Sequence, residues 1–222
     1  MKIRLLVVIG FLLIGWSLFG CATPTTVGYA QNTTMTSFSP SSSPAKAEQK
    51  DFVAERPILL AGDYWMYRYT DGISRTTFIG EQNGLLLFQV GSRKDCLLLS
   101  NNLAPIQRTN GKTGEVTFKS PLPGGILGLE FPLKEGKSLR FSYEVASQNS
   151  PGMMVPLDVT VKVTGIKNIL LESGEELQCF VLRRYWQARG YTDSGSEYFY
   201  YSPKAKAIVK DGNRELVEYH IQ

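Results

Sequence analysis

From Pro57 to the last residue the chain is a succession of short runs rich in β-branched and aromatic residues, each closed by Gly, Asn, Pro or Asp. That punctuation constrains the fold more than any other feature, because it reads as strands joined by turns. Tyr64 to Tyr69 alternates, placing Trp65, Tyr67 and Tyr69 on one face and Tyr64, Met66 and Arg68 on the other. Further strands are predicted over 76–79, 85–90, 96–99, 106–109, 116–119, 139–145, 159–163, 180–185, 198–201, 207–210 and 216–220. Helical periodicity is nearly absent beyond the opening apolar run. Residues 57–222 therefore read as one all-β domain, a single antiparallel, strongly curved sheet or barrel with enough chain for a sizeable core.

Two halves of this domain echo each other. Gly62-Asp63-Tyr64-Trp65-Met66-Tyr67-Arg68-Tyr69 parallels Gly136-Lys137-Ser138-Leu139-Arg140-Phe141-Ser142-Tyr143. Phe78-Ile79-Gly80 answers Val163-Thr164-Gly165, and Leu87-Phe88-Gln89-Val90 answers Cys179-Phe180-Val181-Leu182. Leu98-Leu99-Ser100 with Ile106 and Arg108 parallels Tyr200-Tyr201-Ser202 with Ile208 and Lys210. One reading is a pair of four-stranded repeats with a concave face; the other is that aromatic strands resemble one another by composition.

The start of the chain has a different character. Lys2 and Arg4 precede an apolar run over 5–19, which as a helix spans about 22 Å, short of the ~30 Å hydrocarbon core. It closes on Leu18-Phe19-Gly20-Cys21, similar to a bacterial lipobox, with a leucine three before a cysteine and a small residue just before it. Residues 1–20 are thus expected to be a lipoprotein signal peptide, and Cys21 the lipidated first residue of an exported protein. Several acyl chains hold such a protein to a membrane where one would be marginal. In a diderm host, Ala22 in place of Asp predicts the outer membrane, facing the periplasm. The Ser-, Thr- and Pro-rich residues 21–56 cannot bury enough apolar surface to offset their ordering entropy. They are predicted to be a disordered tether with a reach of roughly 30 Å.

Cleavage before Cys21 removes Lys2 and Arg4 from the 24 basic residues and none of the 20 acidic ones. The near-neutral remainder argues against nucleic acid as a partner. The one histidine, His220, stands two residues from the end, and no glycine-flanked serine elbow accompanies it, so a hydrolase triad is not expected. Glu215, Glu218 and His220 read as a solvated strand end rather than a metal centre. No catalytic residue, metal ligand or cofactor is predicted, and the chain reads as a non-enzyme. Cys96 and Cys179 are an even pair in an oxidising compartment, open to a disulfide or to two reduced thiols on neighbouring strands.

Aromatic side chains cluster more densely than any candidate catalytic set. Trp65, Tyr67, Tyr69, Trp186, Tyr198 and Tyr200 suit a groove for an apolar or glycan ligand, and equally the interior of any β-domain. Two loops are apolar where loops are usually polar: residues 121–129, with Ile126 and Leu127, and residues 150–156, with Met153 and Met154. They mark a contact site or fold back over the core. Two functions follow as expectations, a tethered binding or assembly module holding an envelope protein or polymer, and a carrier whose loops gate a cavity for a hydrophobic ligand; an enzyme acting on envelope glycans or peptides is the third and weakest reading.

The second half also carries Glu135-Gly136-Lys137-Ser138-Leu139, Val161-Lys162-Val163-Thr164-Gly165, Ser173-Gly174-Glu175-Glu176-Leu177-Gln178-Cys179-Phe180-Val181, Tyr200-Tyr201-Ser202-Pro203, Ile208-Val209-Lys210 and Glu215-Leu216-Val217-Glu218-Tyr219. This pattern resembles the TapB-like exported proteins, bacterial lipoproteins and periplasmic proteins largely without known function. The resemblance implies a β-fold and an envelope address, and brings no catalytic residues. Leu139 stands where members often have tryptophan.

Overall fold

The computed structural model describes residues 52–122, 125, 128–146 and 153–222. The predicted signal peptide, Cys21 and the predicted tether up to residue 51 lie outside the described residues. Packing on the domain begins before Pro57: Phe52 stacks on Phe180 with ring centroids 4.6 Å apart, and buried Ala54 pairs with Leu133.

Twelve strands form one antiparallel sheet: β1 (Tyr64–Tyr69), β2 (Gly72–Gln82), β3 (Leu85–Val90), β4 (Asp95–Leu99), β5 (Pro105–Thr109), β6 (Val116–Lys119), β7 (Ser138–Ala146), β8 (Met154–Leu170), β9 (Glu176–Ala188), β10 (Ser194–Ser202), β11 (Ala207–Lys210) and β12 (Glu215–His220). Every run predicted from alternation is a strand. β2, β8, β9 and β10 run several residues further than their apolar centres suggest. Consecutive strands are neighbours throughout except β6 and β7, which form the two edges, while the first strand pairs with the last. Of sheet and barrel, the fold is the open sheet.

The echo between the halves is a property of the backbone. Gly62 N donates to Phe78 O and Gly136 N donates to Val163 O, both at 2.9 Å. Phe78 N donates to Asp63 O and Val163 N to Lys137 O, both at 2.8 Å. Gly62 and Gly136 have φ of 104° and 82°, a region that strains any residue with a Cβ. The β2–β3 register slips between Phe78 and Gly80, and the β8–β9 register slips between Val163 and Gly165. Two further slips match, Leu98/Leu99 in β4–β5 and Tyr200/Tyr201 in β10–β11. Shared bulges are designed features of a fold, so β1–β6 and β7–β12 are structural counterparts.

Each repeat therefore has six strands, not four. The ladders also correct the pairing read from sequence. Phe88 faces Phe78 as Leu182 faces Val163, which makes Leu182, not Phe180, the counterpart of Phe88. Pro105, not Ile106, is the counterpart of Ile208, because the β10–β11 turn is one residue longer than the β4–β5 turn. Leu103 and Lys206 hold the same left-handed place in those turns, at φ of 60° and 53°.

Among the described residues the buried apolar side chains form two cores. One is built on β7–β10 from Tyr143, Leu157, Val159, Leu182, Phe199 and Tyr201, with Leu129 and Leu133 from the β6–β7 connection packed in. The other joins Trp65, Tyr67, Phe78 and Phe88 to Leu177, Cys179, Val209 and Leu216. Adjacent residues of one strand point to opposite faces, so Cys179 enters one core and Phe180 the other. In β9 Cys179, Phe180 and Leu182 are all buried, on both faces of the sheet, which explains the unbroken apolar run Cys179-Phe180-Val181-Leu182.

Candidate functional site

The structure distributes the residues singled out by sequence. Trp65 and Tyr67 are buried, at 2% and 4% exposure, and Trp65 Nε1 donates to Ala205 O at 2.6 Å. Tyr69 is half-buried against Tyr67, and Tyr200 packs on the same core. Trp186 and Met153 pack on the β7–β10 core; the Trp186 indole lies where a Cβ on Gly195 would sit, at 2.7 Å. Tyr198 and Met154 are exposed. Ile126 and Leu127 lie outside the described residues. Cys96 is a free, exposed thiol on β4, and Cys179 a free, buried one on β9, its pKa pushed up to about 12 by burial. His220 stacks on Tyr64 with centroids 5.6 Å apart, and Glu218 accepts the Tyr64 hydroxyl at 2.7 Å.

Trp65, Tyr67, Phe88, Leu97, Leu99 and Phe199 wall a cavity of about 90 Å³. Its polar lining is already engaged. Lys206 Nζ donates to Ile58 O at 2.6 Å, and Arg214 Nε donates to Asp211 at 3.1 Å with its guanidinium 4.5 Å from the Tyr67 ring.

A larger opening lies where β1 and β3 end and β2 and β4 begin. This groove of about 500 Å³ is lined by Tyr69, Asp71, Ser74, Arg75, Arg93, Asp95 and Arg108. The Arg75 guanidinium stacks 3.8 Å over the Tyr64 ring. Arg108 donates to Asp95 at 2.6 Å, and Gly111 N donates to the other carboxylate oxygen at 3.0 Å. Burial alone would raise the pKa of Asp95. The Gly111 bond and the charges of Arg108 and Arg93 outweigh it and hold the carboxyl below its ordinary value. Gly111 fits because a Cβ there would meet the carbonyl oxygens of Arg93 and Lys94 at 2.3 Å, so the β5–β6 turn is seated directly on the turn that carries Arg93. Sequence reading missed this groove, since its arginines are scattered over two strands and a turn and resemble any surface arginine. Among the described residues no group of three or more His, Cys, Asp or Glu side chains is placed to hold a metal ion.

No protein-family model matches the chain, and no curated protein matches it. Among solved structures it is similar to the hypothetical lipoprotein YmcC from Escherichia coli, with a TM-score of 0.46 and 11% identity, over 72% of this chain and 85% of that one. It is also similar to a protein described as a lipoprotein from Parabacteroides distasonis, with a TM-score of 0.35 and 8% identity, over 75% of this chain and 99% of that one.

Proposed function

We propose that the chain is an exported, lipid-anchored module of a bacterial envelope, related to the TapB-like proteins, that acts by binding rather than catalysis, and that its site is the arginine groove. The observation that carries this reading is the contrast of the two openings. The apolar cavity, at about 90 Å³, falls well below the roughly 300 Å³ at which small-molecule sites begin, whereas the polar groove, at about 500 Å³, lies within their range. Guanidinium forks match carboxylates, so Arg75 and Arg93 suit an extended acidic ligand. Tyr69 adds a ring with a polar tip at the same groove.

Calorimetric titration tests this on the chain from residue 21 onward, carrying Cys21→Ser. Polyglutamate or polygalacturonate is expected to bind more weakly as salt rises, and Arg75→Glu with Arg93→Glu to weaken binding at least tenfold. Uptake of a fluorescent fatty acid with no binding of either polymer would favour the carrier instead. The address has its own test: a clickable fatty acid should label the wild type and not Cys21→Ala.

A further inference from the structure

The sheet ends on β7, whose nine residues span about 30 Å and pair only with β8. Among the described residues no backbone group hydrogen-bonds to the outer side of this strand. A long unpaired edge is a template for another strand. Residues 138, 140, 142, 144 and 146 are exposed, while 139, 141, 143 and 145 point toward the core.

We infer that β7 is the interface with a second copy of this chain, the two β7 strands pairing antiparallel about Ser142. This goes beyond the groove reading and does not depend on it. Opposed residues in an antiparallel pair share a face, so a two-fold axis perpendicular to the sheet centres on one residue. Centring on Ser142 sets Arg140 against Glu144 of the partner copy and Glu144 against its Arg140. On the core side it sets Phe141 against Tyr143 and Leu139 against Val145. Shifting the centre to Phe141 or Tyr143 breaks both charge pairs at once. Neither Arg140 nor Glu144 forms an ion pair within its own chain among the described residues. The strand is thus complementary to itself in charge and in one register. Such a pair closes roughly eight to ten backbone hydrogen bonds and joins two twelve-stranded sheets into one.

Sedimentation velocity on the chain from residue 21, with Cys21→Ser and Cys96→Ser, tests the inference. A concentration-dependent dimer is expected. Arg140→Glu and Glu144→Arg each set like charges opposite one another, and each should weaken the dimer at least tenfold. The double variant restores the pairing and should return it to the wild-type range. Ser142→Cys places a thiol opposite its own copy, within the Cα separation that a disulfide accepts, so mild oxidation should yield a covalent dimer. Cysteine at position 140 alone should yield none. A monomer at every concentration together with no Ser142→Cys cross-link overturns the inference. So does a dimer indifferent to both single charge reversals, or one that the double variant fails to restore. Circular dichroism on each variant separates a lost interface from a lost fold.

Discussion

The two halves use one backbone plan to opposite ends, and the difference lies in where their strands stop. β1 ends at Tyr69, but its counterpart β7 runs on from Tyr143 to Ala146. β3 ends at Val90, whereas β9 continues from the equivalent Arg184 to Ala188, and β10 begins three residues before Glu197, the counterpart of Asp95. The added residues bury Val155, Leu157 and Ala188 completely. Without them the first half leaves the arginine groove. Each half keeps an acid paired with an arginine at this point, Asp95 with Arg108 and Glu197 with Arg184. Arg184 is 2% exposed, with its guanidinium 5.6 Å from the Phe199 ring, and burial draws its pKa down to about 9. A few residues of strand decide whether the same site is a core or an opening.

The sharpest break of this comparison is Arg184→Ala against Arg108→Ala. Removing Arg184, itself 2% exposed, opens a cavity beside Phe199 and unpairs Glu197, and should cost about 2 to 4 kcal/mol by urea unfolding. Removing Arg108 empties less buried space and leaves Asp95 its Gly111 bond, and should cost about 1 to 2 kcal/mol. Equal losses would mean that the first-half site is as closed as the second.

Starting the chain at residue 57 tests the second half's dependence on Phe52 and Ala54, which brace its core. About 2 kcal/mol should be lost, with a melting point several degrees lower. Hydrogen exchange should quicken in β8 and β9 while polyglutamate binding holds; unchanged melting would mean that this packing contributes nothing.

Acid sharpens the contrast from the groove side. The folded pKa of Asp95 lies below its unfolded value, so its stabilisation is complete above the unfolded value and lost as pH falls through the folded one. Asp95→Asn should flatten the acid limb of a stability profile below about pH 4. A limb unaltered by Asp95→Asn would leave the pair without energetic weight.

The smallest effect expected is at the margin of the second half. Met153 packs on the core and should cost about 1 kcal/mol as serine, while Met154, 51% exposed, should stay within about 0.5 kcal/mol. The reverse order would show that the loop meets the core through the other methionine.

Strand existence was legible because alternation and turn residues act within a few positions, and all twelve strands overlie runs readable without a structure. The groove was not legible. Arg75, Arg93 and Arg108 stand on or beside different strands, and nothing local marks them as facing one opening. The aromatic residues were legible as important but not as to role: Trp65 and Tyr198 look alike in sequence, and one is buried while the other is exposed.

By itself the sequence determined an all-β chain of twelve strands in two echoing halves, because side-chain alternation and turn chemistry are local. Only the tertiary structure decided that β1 closes on β12, that the sheet opens between β6 and β7, and that Arg184 is buried while Arg183 beside it is exposed. Such choices depend on pairing across many residues and on bulges that shift the register by one. A one-residue shift exchanges the faces of a strand, and no local pattern records it.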